Sequence, residues 1–294
     1  IDSNIGTFYS LGTAKMRGVI ELSPDAKLQK EAMHVLKLTS RTFYIPIKLL
    51  NPTLRKIVGS AYLCMRAIDE IEDHEELQSE TKQLLLRTTS KLLQTKFDDV
   101  AYKQLIQPYE NLLPEVTLRL GDWLSICPAT FRDKVQESTS IMADGMAKWV
   151  EKDWLVKTKE DLDEYTYYVA GLVGVMLSDI WQLFDGTKTD RELAIAYGRG
   201  LQVVNMLRNQ EEDADRGVHF IPDGWTRADM FQYAESNLNM AEDYIDSIKT
   251  KNILLFCKIP HTLAKRTLNA LTNGKEKMNR TEVETSVNEI VNSL

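Results

Sequence analysis

The sequence predicts an all-α, single-domain protein whose helices surround a central cavity. Apolar residues recur at three- and four-residue steps through most of the chain, as in helices that each bury one face. Strand-type alternation is scarce. Proline and glycine punctuation cuts the periodic stretches into helix-sized pieces, with no linker or low-complexity segment between them. Residues 1–294 are therefore read as one domain, with 1–25 as a loose N-terminal arm.

Taken in order, residues 27–50 set Leu28, Met33, Leu36 and Phe43 at helical spacing, and Pro46 and Pro52 interrupt. Asn51 and Pro52 supply a cap and a first position for the next helix, which runs to about Glu72. Further helices are predicted at 79–94, 100–125, 130–152, 160–183, 189–214, 227–248, 252–273 and 280–293. Breaks fall at Pro108, Pro114, Pro128, Asp185-Gly186, Pro222-Asp223-Gly224 and Asn273-Gly274. The 160–183 helix contains Gly171 and Gly174, and an interior glycine costs roughly 0.5–1 kcal/mol relative to alanine. Two readings stand: tight helix–helix packing, or a wall against which a long apolar chain lies. Tyr165, one turn before Val169, would reach the same cavity, where its hydroxyl needs a partner.

Composition narrows the function. The 43% hydrophobic and 27% charged content is that of a globular protein. A net charge of −7, with no basic-aromatic stripe, excludes nucleic acid as a partner. Cys64, Cys127 and Cys257 lack metal-type spacing and read as reduced thiols of a cytoplasmic protein. The four histidines form no HExxH set, so zinc is not expected. No secretory leader is expected from the first residues. The longest apolar run, 168–177, is shorter than the roughly 20 residues that span a bilayer. A greasy substrate would still draw such a protein to a membrane surface as a peripheral partner.

Two acidic clusters carry the chemistry. Residues 66–73 read RAIDEIED, and residues 202–213 read QVVNMLRNQEED. Helical spacing places Arg66, Asp69 and Asp73 on one stripe, and Gln202, Asn205, Arg208, Asn209, Glu212 and Asp213 on another. An isolated DxxxD is usually a solvated face. Two clusters, each with an arginine and with apolar residues between the polar ones, point polar groups toward a packed interior. Divalent cations carrying a polyphosphate would compensate them, Mg²⁺ on the carboxylates and the arginines forked onto phosphate oxygens.

These segments resemble the squalene/phytoene synthase family. TSRTF at 39–43 is similar to its SRSF-type segment, and YLCMRAIDEIED at 62–73 to its YxxxRxxDxxxD motif. YTYYVAGLVG at 165–174 resembles its YxxxVAGxVG helix. Residues 202–213 match QxxNxxRDxxED at every fixed position but one, and LFCKIP at 255–260 resembles a stretch of squalene synthases. The resemblance implies an isoprenoid-synthase helical bundle and Mg²⁺-dependent ionisation of farnesyl diphosphate. Two farnesyl groups would join head-to-head to presqualene diphosphate, then to squalene with NADPH or dehydrosqualene without it. No glycine motif supports NADPH. By the same resemblance Asp69, Asp73, Asn205, Asn209, Glu212 and Asp213 would hold metal. Arg66, Arg208, Ser40, Arg41, Gln202 and Asn205 would contact diphosphate. Tyr165 and Tyr62 would assist departure of diphosphate or steer the cation, and Phe43, Val169, Ala170, Leu172 and Gly174 would line the farnesyl channel.

One position departs from the pattern: Asn209 stands where the family has aspartate. Its oxygen can ligate a cation but brings no charge. Either the change is tolerated, or the site ionises one farnesyl diphosphate and releases farnesol, as a phosphatase. A non-catalytic isoprenoid-binding protein is a third reading, opposed by the nearly complete set of acidic and arginine positions.

Overall fold

The computed structural model describes residues 21–274 and 278–294. Most of the predicted arm, residues 1–20, lies outside them, and helix α1 (Pro24–Thr39) starts within its last residues. Ser23 caps α1 by accepting from the Ala26 amide at 3.2 Å, with Pro24 opening the helix. After a turn comes the five-residue α2 (Tyr44–Lys48). Asn51 then caps α3 (Pro52–Glu72), its Oδ1 accepting from the Leu54 amide at 2.9 Å, the arrangement that Asn51-Pro52 predicts.

Helix α4 (Ser79–Leu93) follows. The single helix expected over 100–125 is instead α5 (Asp99–Ile106), a 3₁₀ turn (Gln107–Tyr109), α6 (Glu115–Leu118) and α7 (Leu120–Ile126). Pro108 and Pro114 break it, because proline disfavours a helical residue before it and removes a donor. The long α8 (Ala129–Glu151) packs along α4. A capping box of Thr158 and Asp161 starts α9 (Lys159–Thr166), which runs through a π-helical turn (Tyr167–Gly171) into α10 (Leu172–Asp185). Gly186, at φ 79°, ends α10 in the left-handed conformation that glycine adopts readily. The chain continues through α11 (Arg191–Arg208), α12 (Gln210–Asp215), α13 (Arg227–Asp246), α14 (Lys251–Thr272) and α15 (Arg280–Asn292). No strand occurs among the described residues.

Helices α3, α8, the π turn with α10, and α11 form the walls of the interior, and α13 and α14 back them. The crossing of α10 and α11 decides between the two readings of the helical glycines. A Cβ on Gly174 would overlap the Ala194 carbonyl, and one on Gly198 the Ala170 carbonyl. Backbone-to-backbone packing therefore requires glycine at both positions. The α9–α10 helix, 27 residues long, is apolar enough to cross a membrane by length and composition, which the 168–177 run alone did not suggest. Here it is an interior wall, with Leu162, Ile180 and Trp181 fully buried.

Candidate active site

A cavity of about 310 Å³ lies between these walls. Along α3 its lining passes from Val58, Ala61 and Met65 to Arg66, Asp69, Glu72 and Asp73. Along α11 and α12 it passes from Tyr197, Gly198 and Leu201 to Gln202, Asn205, Asn209 and Asp213. Both helices turn from apolar to polar toward their C-terminal ends, so the cavity has a greasy end and a charged end. The sixteen residues from Val58 to Asp73 span about 22 Å of helix.

At the charged end, carboxylate oxygens of Asp69, Glu72 and Asp73 all lie within 4.8 Å of one another. Burial, then the charge of Asp73, holds Asp69 well above the usual carboxylate range, although Arg66 pulls it down. Glu72 is raised for the same reasons, burial first and then Asp73 and Asp69. Asp73 is also raised by burial, against the opposing pull of Arg216 and Arg66. The α3 C-terminus adds its own partial negative charge to the cluster. Lys82 satisfies that end by donating to the Glu72 carbonyl at 2.6 Å.

Glu72 was not singled out in the sequence, yet it is only 1% exposed. Its Oε1 accepts from the Tyr165 hydroxyl at 3.4 Å, and its Oε2 has no partner. A buried carboxylate oxygen without a partner is costly, and three crowded carboxylates repel. Hard cations with oxygen ligands relieve both penalties, so this donor set fits Mg²⁺. Glu72 lies three residues after Asp69, on the stripe already recognised; its spacing was the available signal.

The arginines hold carboxylates. Arg66 donates to Asp69 at 3.2 Å and to Glu70 at 2.7 Å. Arg216, also missed in the sequence, lines the cavity and donates to the buried Asp213 at 2.6 Å. Tyr165 is raised well above its ordinary pKa by burial and by the neighbouring Glu72, and its ring stacks on Phe220 at 4.9 Å. Phe220 brings the segment after α12 over the charged end. Tyr62 lines the cavity beside Phe43, with ring centroids 5.8 Å apart; burial raises its pKa, and a hydrogen bond with the Ser40 side chain opposes the rise.

Of the residues singled out in the sequence, Tyr62, Arg66, Asp69, Asp73, Tyr165, Phe43, Val169, Ala170, Gly174, Gln202, Asn205, Asn209 and Asp213 line this one cavity. Asp69 and Asp213, 144 residues apart, thus share it. Five do not line it. Ser40 is buried behind it, its Oγ accepting from the Phe43 amide at 3.0 Å. Arg41 is exposed on the turn after α1. Leu172 is buried in the surrounding core, one residue beyond the π turn. Arg208 and Glu212 are exposed. The physical reason is helical phase: Asn205, Asn209 and Asp213 follow at four-residue steps, with the Asn209 and Asp213 amides donating to the Asn205 and Asn209 carbonyls at 2.9 Å, so they share one face across the α11–α12 junction. Arg208 and Glu212, one position before Asn209 and Asp213, sit about 100° round the helix from that face and are exposed.

The class the described residues define is an all-α scaffold around one cavity, with the Asp69, Glu72 and Asp73 carboxylates of α3 and the Asp213 carboxylate of α12 lining it together with apolar residues. A profile of the squalene/phytoene synthase family matches residues 36–230, and the chain belongs to that family. It is 29% identical to squalene synthase of Schizosaccharomyces pombe over 82% of this chain and 59% of the relative. It is 30% identical to that of Dictyostelium discoideum over 82% of this chain and 63% of the relative. The chain thus spans about three-fifths of the length of these curated relatives. The fold is shared with TcSQS bound to the ligand E5700, at a TM-score of 0.71 and 22% identity, covering 89% of this chain and 85% of that one. It is also shared with a dehydrosqualene synthase in complex with ligand, at a TM-score of 0.61 and 18% identity, covering 92% and 97%.

Proposed function

We propose that this chain is a farnesyl-diphosphate-utilising transferase that joins two farnesyl groups head-to-head. One observation carries the reading: carboxylates of α3 and of α12 line the charged end of a single cavity whose other end is apolar. Divalent cations held by Asp69, Glu72 and Asp73, and across the cavity by Asn205, Asn209 and Asp213, would neutralise the charge that collects on diphosphate as the allylic C–O bond breaks. Arg66 and Arg216 would turn from their carboxylates to diphosphate oxygens in forked hydrogen bonds. The Tyr165 hydroxyl, which donates to Glu72, would hydrogen-bond the departing oxygen. Phe43, Tyr62, Val169 and Ala170 would bound a water-poor space in which the carbocation survives long enough to couple.

Incubation with labelled farnesyl diphosphate and Mg²⁺ tests this. A C30 product is expected, squalene with NADPH and dehydrosqualene without; farnesol as the sole product would overturn the transferase reading. That second outcome has one residue in its favour. Asn209 lines the cavity with an amide where the family's pattern has a carboxylate, which removes one charge from the second wall. If farnesol dominates, Asn209→Asp is expected to shift product toward C30, and an unchanged ratio would acquit Asn209.

A further inference from the structure

Between Glu31 and Asp69 the chain has no acidic residue, although 43 of its 294 residues are Asp or Glu. The same stretch contains Lys37, Arg41, Lys48, Arg55, Lys56 and Arg66. The structure gathers part of it into one surface. The Lys37 and Lys48 ammonium groups lie 5.8 and 5.9 Å from the centroid of the Tyr44 ring, which brings the end of α1 beside α2. Next to them Leu38 is 71% and Ile45 38% exposed, and Lys37, Arg41 and Lys48 are exposed. Exposed aliphatic side chains are ordinary when scattered. Here they stand among three cations, within an acid-free stretch of a chain whose net charge is −7. That local inversion of charge complements an anionic surface. Aliphatic and aromatic groups that enter the interfacial layer while lysines meet lipid phosphates are the composition of a peripheral bilayer contact. Directly behind the patch, Phe43 and Ile47 line the apolar end of the cavity.

We propose that the surface formed by Lys37, Leu38, Arg41, Tyr44, Ile45 and Lys48 docks on an anionic phospholipid bilayer. It sets α2, whose Ile47 lines the apolar end of the cavity, against the membrane. The docking rests on surface residues and is independent of the reaction proposed above.

Flotation of the purified chain with vesicles tests it, using phosphatidylcholine alone and phosphatidylcholine mixed equally with phosphatidylglycerol. Binding to the mixed vesicles alone, weakened by salt, is expected. Lys37→Glu with Lys48→Glu should lower the affinity at least about 25-fold, from about fivefold per basic residue. Leu38→Asn with Ile45→Asn should weaken binding as well. These positions are exposed, so unchanged thermal unfolding and unchanged turnover of detergent-dispersed farnesyl diphosphate would show that the fold and the reaction survive. Equal binding to both vesicle types, or indifference to the substitutions, would overturn the proposal. Self-association in ultracentrifugation that Leu38→Asn dissolves would assign the patch to a second copy. Binding gained only on removal of residues 1–20 would assign it to that segment.

Discussion

At the scale of single residues, Glu72 joins the site's chemistry to the protein's stability. Its carboxyl is buried, crowded by Asp69 and Asp73, and half satisfied by Tyr165. Its folded-state pKa is raised, so between the ordinary carboxylate pKa and that raised value the folded state binds more protons than the unfolded state. Stability from this group is present below the ordinary carboxylate range and is lost as pH rises through the folded pKa. Metal-free protein should therefore melt lower at pH 8 than at pH 6, and Mg²⁺ with diphosphate should recover more stability at the higher pH. Glu72→Gln removes the buried charge while keeping the Tyr165 contact. The variant should melt higher than the parent at pH 8 without metal, and should lose about tenfold or more in Mg²⁺ affinity, a loss of the size seen when the groups around a metal site are changed. Parallel thermal scans and Mg²⁺ titrations check both halves; a variant that melts lower without metal would mean that Glu72 is a structural hydrogen-bond partner rather than a ligand.

At the scale of elements, helix identity was legible in the sequence and helix continuity was not. Periodicity and the Asn51-Pro52 cap placed α3 closely, and the acidic stripe at its end followed from that placement. The same logic was too coarse at 202–213, because a stripe drawn at both three- and four-residue steps does not separate Asn205, Asn209 and Asp213, which line the cavity, from Arg208 and Glu212, which are exposed. It also failed over 100–125, where Pro108 and Pro114 were noted as breaks but were drawn inside one helix. The π turn at 167–171 is a third such feature: one extra residue re-aims Val169 and Ala170 at the cavity and leaves Leu172 in the surrounding core. Sequence left the glycines of this helix undecided between packing and substrate approach, and the Ala194 carbonyl decides Gly174. Gly174→Ala should consequently cost about 1–3 kcal/mol or more by overpacking, read as a fall of about 2–4 °C in Tm per kcal/mol for a domain near this size. A melting point within a degree of the parent would show that α10 and α11 can part freely, returning the glycine to a substrate role.

At the scale of the whole molecule, two segments more than a hundred residues apart were expected to converge on one cavity, and the bundle brings them there. What sequence could not supply was the lining contributed singly by other elements: Arg216, Phe220 and the methionines. Met65, Met142, Met146, Met176 and Met206 all face the cavity, half of the chain's ten methionines. Each is an ordinary apolar position on its own helix, so no local pattern marks it. Together they make a wall of unbranched, three-bond side chains that refit to different occupants. The cavity, about 310 Å³, lies at the small end of the range of about 300–1,000 Å³ for ligand sites. A head-to-head coupling has to accommodate two C15 chains, and adaptable methionines are where the extra room would come from. Met146→Phe keeps the apolar bulk and removes the flexibility. The first ionisation needs only one chain in place and should persist, whereas coupling needs the second and should fall. Diphosphate release is therefore expected to change less than twofold while the ratio of C30 product to farnesol drops about tenfold, equivalent to about 1.4 kcal/mol at the partitioning step. The Mg²⁺-diphosphate thermal shift serves as the control, because Met146 is an apolar residue of α8 and offers no ligand to a cation. If C30 formation and diphosphate release decline together, the methionine wall is merely filling space and the room for the second chain must come from motion of a whole helix.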